Sequence, residues 1–150
     1  SLRSVYETLK KKNSKLICVL GSAGGGRDKW KRSEMGKIAA EYCDEIVLTN
    51  EDPWDENPSQ ILSEIQSGIS NFSSSANASA DEQFPISNVR TILDRKEAIC
   101  KAIEMAREGD AVVITGKGAE PYLHLADGAR VSWSDKICAE EALGRIRTDV

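Results

Sequence analysis

Apolar runs of about five residues alternate along the chain with segments whose apolar positions recur at three- and four-residue spacing. That is the pattern of buried strands separated by amphipathic helices. Residues Leu2 to Lys12 read as a helix with Leu2, Val5, Tyr6 and Leu9 on one face. Leu16 to Leu20 read as a buried strand that runs straight into Gly21 and the cluster Gly24-Gly25-Gly26. A helix follows from Ser33 to Cys43, with Met35, Ile38, Ala39 and Tyr42 inward, and then a strand from Glu45 to Thr49. Ser59 to Gly68 reads as a short helix with Ile61, Leu62 and Ile65 in the core and Gly68 as its stop. Val89 to Leu93 is a third strand. The helix after it reaches Arg107 and turns Ile99, Ala102, Ile103 and Ala106 inward. Ala111 to Thr115 is the most apolar strand, and a helix near Lys136 to Arg147 closes the chain.

Strands and helices at this spacing predict a Rossmann-like α/β fold, with a mostly parallel sheet covered by helices on both faces. One domain over residues 1–150 is expected. The stretch Asn71 to Gln83, NFSSSANASADEQ, lacks periodicity and reads as a mobile surface loop. The chain opens inside a helix with no evident cap, which leads us to expect a fragment of a longer protein.

Composition narrows the function classes. Twenty basic against twenty-four acidic residues give a net charge of −4, and aromatics are few. That leaves no general nucleic-acid footprint. No apolar run approaches the roughly 20 residues of a membrane span, and SLRSVYETLKKKNSK lacks the apolar core of a signal peptide. Cys18, Cys43, Cys100 and Cys138 are scattered among apolar neighbours, so buried reduced thiols are expected rather than disulfides or metal ligands. A cytoplasmic domain without membrane or nucleic-acid partners follows as the expectation.

Chemistry gathers in the polar loops that leave three strands, where ligands collect in such folds. The glycine cluster lets backbone N–H groups approach a ligand, and Arg27, Lys29, Lys31 and Arg32 follow it. Neither a dinucleotide fingerprint nor a phosphate-cradling P-loop is present. A ligand site and a solvated basic turn both remain open for this stretch. Arg27 offers a fork suited to a carboxylate. Glu51 and Asp52 in the second loop offer acids for an ammonium group, although Asp is also a favoured turn residue before Pro53. Glu120 follows Gly116 and Gly118 and is aimed over the sheet, unless it is an ordinary helix-start acid. One cation and two or three anions around a cleft make a receptor for a zwitterion, an amino acid held by carboxylate and amine. Trp54 can line that cleft, while Trp133 reads as packing and His124 as structural. No nucleophile–base pair and no metal-ligand cluster is visible, so no catalytic residue is expected in this stretch of chain.

At these loops the sequence resembles the carboxy-terminal domain of the Mur ligases, in the branch that makes UDP-muramoyl tripeptides. The family pattern GGDRDxGKRPxMG is matched from Gly24 to Gly36, and T-x-D-N-P-R-x-E-x-P from Thr49 to Pro58. DR-x-x-AI appears as Asp94 to Ile99, and GKGHE as Gly116 to Glu120. The resemblance spans roughly residues 2 to 135 in order.

It implies an ATP-dependent amide ligase of peptidoglycan synthesis whose central domain, absent here, holds ATP and Mg2+. No cofactor is then expected in this fragment. The implied partners are the amino-acid substrate, UDP-MurNAc-dipeptide and the remaining domains of the same chain. Arg27 would hold the amino acid's carboxylate, Gly116 and Glu120 would contact its other polar groups, and Glu51 and Asp52 would fall on the specificity loop. The arginine of DNPR is Trp54 here, and Gly26, Trp30, Ser33 and Ala119 also depart from the pattern. An acidic pocket without that arginine leads us to expect L-lysine, or a similar basic amino acid, over meso-diaminopimelate. The alternatives are a related amide ligase with a different, folate-like acceptor and a non-catalytic α/β binding module.

Overall fold

The computed structural model describes residues 1–12, 15–26, 29–76, 88–117 and 120–148. Among them, β1 (Leu16–Leu20), β2 (Glu45–Leu48), β3 (Asn88–Thr91) and β4 (Ala111–Ile114) form a parallel sheet in the order β3-β2-β1-β4. Its register pairs Cys18 with both Ile46 and Val113, and Ile46 with Val89. The described helices are α1 (Leu2–Lys12), α2 (Trp30–Tyr42), α3 (Pro58–Ala76), α4 (Arg95–Met105) and α5 (Asp135–Thr148).

Alternation along the strands divides the core in two. Leu16, Cys18, Leu20, Ile46 and Leu48 face one way and pack with Tyr6, Ala39, Ile61 and Ile65 from α1, α2 and α3. Ile17, Val19 and Val47 face the other way and pack with Ile99, Ala102, Cys138 and Ala142 from α4 and α5. A strand covered on both faces must be apolar throughout, which is why β1 reads as an unbroken apolar run. The expected helix-covered parallel sheet is therefore the observed one. β4, the most apolar strand by sequence, is only partly buried because it forms the sheet edge.

Several boundaries differ from expectation. Gly68 does not stop a helix: α3 continues through it to Ala76. Its missing side chain serves a helix crossing instead. A methyl at Gly68 would overlap the Ser33 carbonyl oxygen, and one at Gly36 would overlap that of Ile65. Residues 71–76 are thus helical rather than loop, while residues 77–83 of that expected loop lie outside the described residues. Val5 is 43% exposed, because α1 turns Tyr6 into the core in its place. Cys18 and Cys43 are joined by a disulfide rather than held as reduced thiols, with Cα atoms 6.3 Å apart across β1 and the end of α2. Cys100 and Cys138 are free.

A hairpin absent from the sequence reading, β5 (Tyr122–His124) with β6 (Arg130–Ser132), lies between β4 and α5. Its turn places Asp127 and Gly128 at φ 58° and 73°. No described helix is long and apolar enough to cross a membrane.

Candidate functional site

The sheet order creates the site. From β1 the chain steps outward to β2 and β3, then returns to place β4 on the other side of β1. Loops leaving β1 and β4 therefore diverge, and ligands bind in the crevice outside the carboxyl ends at such a reversal. A cleft of about 1060 Å³ opens there, lined by residues of all three strand-end loops: Gly24, Gly25 and Gly26, then Glu51, Trp54 and Asp55, then Gly116. Lys29, Lys31 and Met35 complete its wall.

The glycine loop is held close to the second loop. Gly24 N–H donates to the Asp52 carbonyl at 2.6 Å, and a methyl at this position would overlap the Pro53 carbonyl. Gly25 and Gly26 adopt φ of 86° and 78°, a region side chains disfavour. Gly26 N–H reaches Glu56 Oε1 at 2.5 Å. Beneath them lies Arg32, fully buried rather than part of a solvated basic face. Its guanidinium pairs with Glu56 at 2.9 Å and Glu64 at 2.6 Å and donates to the Ala23 carbonyl at 3.1 Å.

Arg32 sets an acid limit on stability. Its hydrogen bond holds the Glu64 carboxyl below the ordinary value of 4.5. Burial alone would raise Glu56, but the Gly26 N–H and Arg32 bring it below 4.5 as well. Groups depressed in the folded state contribute stability that is complete above the unfolded value and lost as pH falls through the folded one. Melting temperature is thus expected to drop on acidification below about pH 4.5. Thermal melts from pH 3 to 6 should show a shallower drop for a Glu56→Gln, Glu64→Gln double variant. An identical slope in both proteins would remove Arg32 as the cause.

Two further buried cations tie the other loops. Lys117 is fully buried and donates to Asp52 Oδ2 at 2.7 Å and to Glu120 Oε2 at 2.6 Å. Asp52 Oδ1 accepts the His124 N–H at 2.8 Å, so both oxygens of this carboxylate are engaged within the protein. Burial alone would lower the Lys117 pKa, yet these two acids raise it. Arg95 binds Asp135 through both carboxylate oxygens at 2.8 Å and donates to the carbonyls of Asn50 and Thr115. One guanidinium thereby joins the start of α5 to the loops after β2 and β4. Trp133 adds an Nε1–H bond to the same Asp135 and packs in the core.

Glu51 differs from its neighbours. Among the described residues no hydrogen bond or ion pair reaches its carboxylate, which lines the cleft. Burial pushes its carboxyl above the ordinary range, while Arg95 and Lys117 pull the other way. Gly116, at φ 115°, leaves it room: a methyl there would come within 2.8 Å of the Glu51 carboxyl carbon.

The structure thus brings Glu51, Trp54 and Gly116 to one cleft and gives Asp52 and Glu120 to Lys117, with the Glu120 side chain 61% exposed. Arg27 lies outside the described residues. Sequence reasoning missed Lys117, Arg32, Arg95 and His124 as the supports of the site. Lys117 had one signal, a lysine confined between two glycines in a turn beside an acidic loop. Among the described residues no group of three or more His, Cys, Asp or Glu could hold a metal ion.

Residues 1–118 match the family described as Mur ligase, glutamate ligase domain. The chain is 41% identical over 145 residues to the UDP-N-acetylmuramoyl-L-alanyl-D-glutamate--2,6-diaminopimelate ligase of Aquifex aeolicus (strain VF5), covering 96% of this chain and 27% of that relative. It is 41% identical over 136 residues to the ligase of the same name from Prochlorococcus marinus (strain NATL1A), covering 91% and 23%. A solved structure of a ligase of that name is similar with a TM-score of 0.79 at 31% identity, over 97% of this chain and 27% of the other. The chain spans about a quarter of the length of the relatives it matches.

Proposed function

The chain belongs to the Mur ligase family, and we propose that it is the amino-acid-accepting domain of a longer ATP-dependent ligase that extends UDP-MurNAc-dipeptide by one residue. The observation that carries this reading is the cleft at the β1–β4 reversal, where Glu51, whose carboxylate has no partner among the described residues, shares the wall with a glycine turn flanked by Lys29 and Lys31. A zwitterion with a second amine fits that charge pattern. The lysines meet a carboxylate, and Glu51 meets an ammonium group. We place ATP and Mg2+ on the rest of the parent protein, where ATP would activate the acceptor carboxylate as an acyl phosphate. The work of this domain is to bind and orient the amine that attacks. A ligase that consumes ATP and a UDP-linked precursor works where both are held, which favours the cytoplasm.

Of the diamino acids, meso-diaminopimelate leads. The expectation of L-lysine rested on an acidic pocket without the motif arginine, and one of its acids, Asp52, is already paired with Lys117. The relatives' names read diaminopimelate and lend lysine no support. Trp54 stands where the family has an arginine, so positive charge for a second carboxylate would come from Lys29 and Lys31.

The test is phosphate release by the full-length parent with ATP, Mg2+ and UDP-muramoyl dipeptide, against meso-diaminopimelate, L-lysine and L-ornithine. Turnover is expected to be best with diaminopimelate. Glu51→Gln should raise its KM by roughly ten- to a hundred-fold, the scale of one charged hydrogen bond. Because burial raises the Glu51 pKa, wild-type KM should begin to rise on acidification above the ordinary carboxylate range. Silence across the panel from a folded protein that binds ATP would instead favour a different acceptor.

A further inference from the structure

Trp54 is held in a conformation that a bulky side chain rarely adopts. Its φ is 52°, and among the described residues only Asp127 is another non-glycine at positive φ. Such backbone strain persists only where the surroundings over-determine it, and it concentrates at functional positions. Here the surroundings converge on His124. The His124 N–H donates to Asp52, its carbonyl accepts the Trp54 N–H at 3.4 Å, and its imidazole lies flat against the indole. The ring centroids are 4.4 Å apart and the planes differ by 5°. At the tip of the same hairpin, Asp127 N–H donates to Asp55 Oδ1 at 2.8 Å.

The β5–β6 hairpin therefore braces residues 52–55 from outside the cleft. Stacking covers one face of the indole, yet Trp54 remains 40% exposed and lines the cleft with Glu51. An aromatic face with negative quadrupole beside a carboxylate that has no partner among the described residues is a receptor for an organic cation. Neither group supplies such a receptor if the indole is free to swing.

We propose that His124 is a positioning residue for amino-acid recognition, pinning Trp54 so that its indole, together with Glu51, receives the side-chain ammonium of a diamino acid. This rests on the function proposed above and adds the residue that makes the pocket selective. With the imidazole removed, the main-chain bonds of His124 to Asp52 and Trp54 remain, but the indole loses its stacking partner and is free to turn off the cleft. The phenyl ring of phenylalanine preserves the stack.

The experiment uses the full-length parent with meso-diaminopimelate and with 2-aminopimelate, which lacks the distal amine. His124→Ala is expected to raise the KM for diaminopimelate roughly tenfold, a cation–aromatic contact's worth, and to leave the KM for ATP in place. Preference for diaminopimelate over 2-aminopimelate should shrink by the same factor, and Trp54→Leu should reproduce that loss. His124→Phe should restore both values to within about threefold of wild type. Three results overturn the proposal: an unchanged KM in His124→Ala, equal rises in the KM values for amino acid and ATP, or a failure of His124→Phe to rescue. An active wild type with any of these outcomes defeats the positioning role alone. A wild type that ligates no amino acid defeats the underlying function, and the proposal with it.

Discussion

Replacing Lys117 by methionine is expected to destabilise the domain by about 3–5 kcal/mol, the usual consequence of stranding one partner of a buried ion pair. Lys117 is fully buried and Asp52 nearly so, and they meet at 2.7 Å. The methionine fills much of the volume but leaves the Asp52 charge with only the His124 N–H for company. Glu120 loses little, because its side chain is largely solvated and screened. At roughly 2–4 °C per kcal/mol for a chain of this size, the melting temperature should fall by about 10 °C. Adding Asp52→Asn removes the stranded charge while keeping an acceptor for His124, so the double variant should recover a large share of the loss. A single variant that melts within about 2 °C of wild type would show that the pair does not hold these loops.

The second large effect is steric. Gly68→Ala should cost about 3 kcal/mol, at the upper end for overpacking. The added methyl meets backbone, the Ser33 carbonyl, and backbone cannot rotate aside. Helices α2 and α3 must then separate, and the reciprocal contact of Gly36 with Ile65 opens with them. Gly144 supplies the contrast. It lies in α5, and a methyl added there would have nothing within 4 Å. At that position alanine should stabilise by about 0.5–1 kcal/mol through helix propensity. Chemical denaturation of the two variants therefore moves in opposite directions. A neutral or stabilising Gly68→Ala would mean the helices do not cross at that point.

These cases show where the sequence could be read and where it could not. The sheet was legible because a doubly covered strand leaves a continuous apolar run, and because each polar loop follows such a run. Glu51 and Trp54 could be proposed for a common cleft on topology, and Gly116 through the family motif that it matches. Asp52 could not be separated from Glu51, since its partner Lys117 stands 65 positions away and pairing across that distance leaves no local mark. Gly68 carried the signature of a helix stop, and only packing against Ser33 reveals a crossing. Arg32 looked solvated within a basic cluster until Glu56 and Glu64 came from other elements to meet it. The Cys18–Cys43 bond was equally hidden, because scattered cysteines fix no pairing. The hairpin of three-residue strands fell below the length at which alternation can be seen, although Asp127-Gly128 was its turn signal.

Arg32 fastens the loop after β1 to α3, while Arg95 and Lys117 both tie together the loops after β2 and β4. The described wall of the cleft is thus set before any ligand arrives, and occupancy need not order it. Calorimetry of amino-acid binding should accordingly return a small heat-capacity change, drawn from the ligand's own dehydration. The larger change that marks coupled folding belongs to whatever later closes over the cleft.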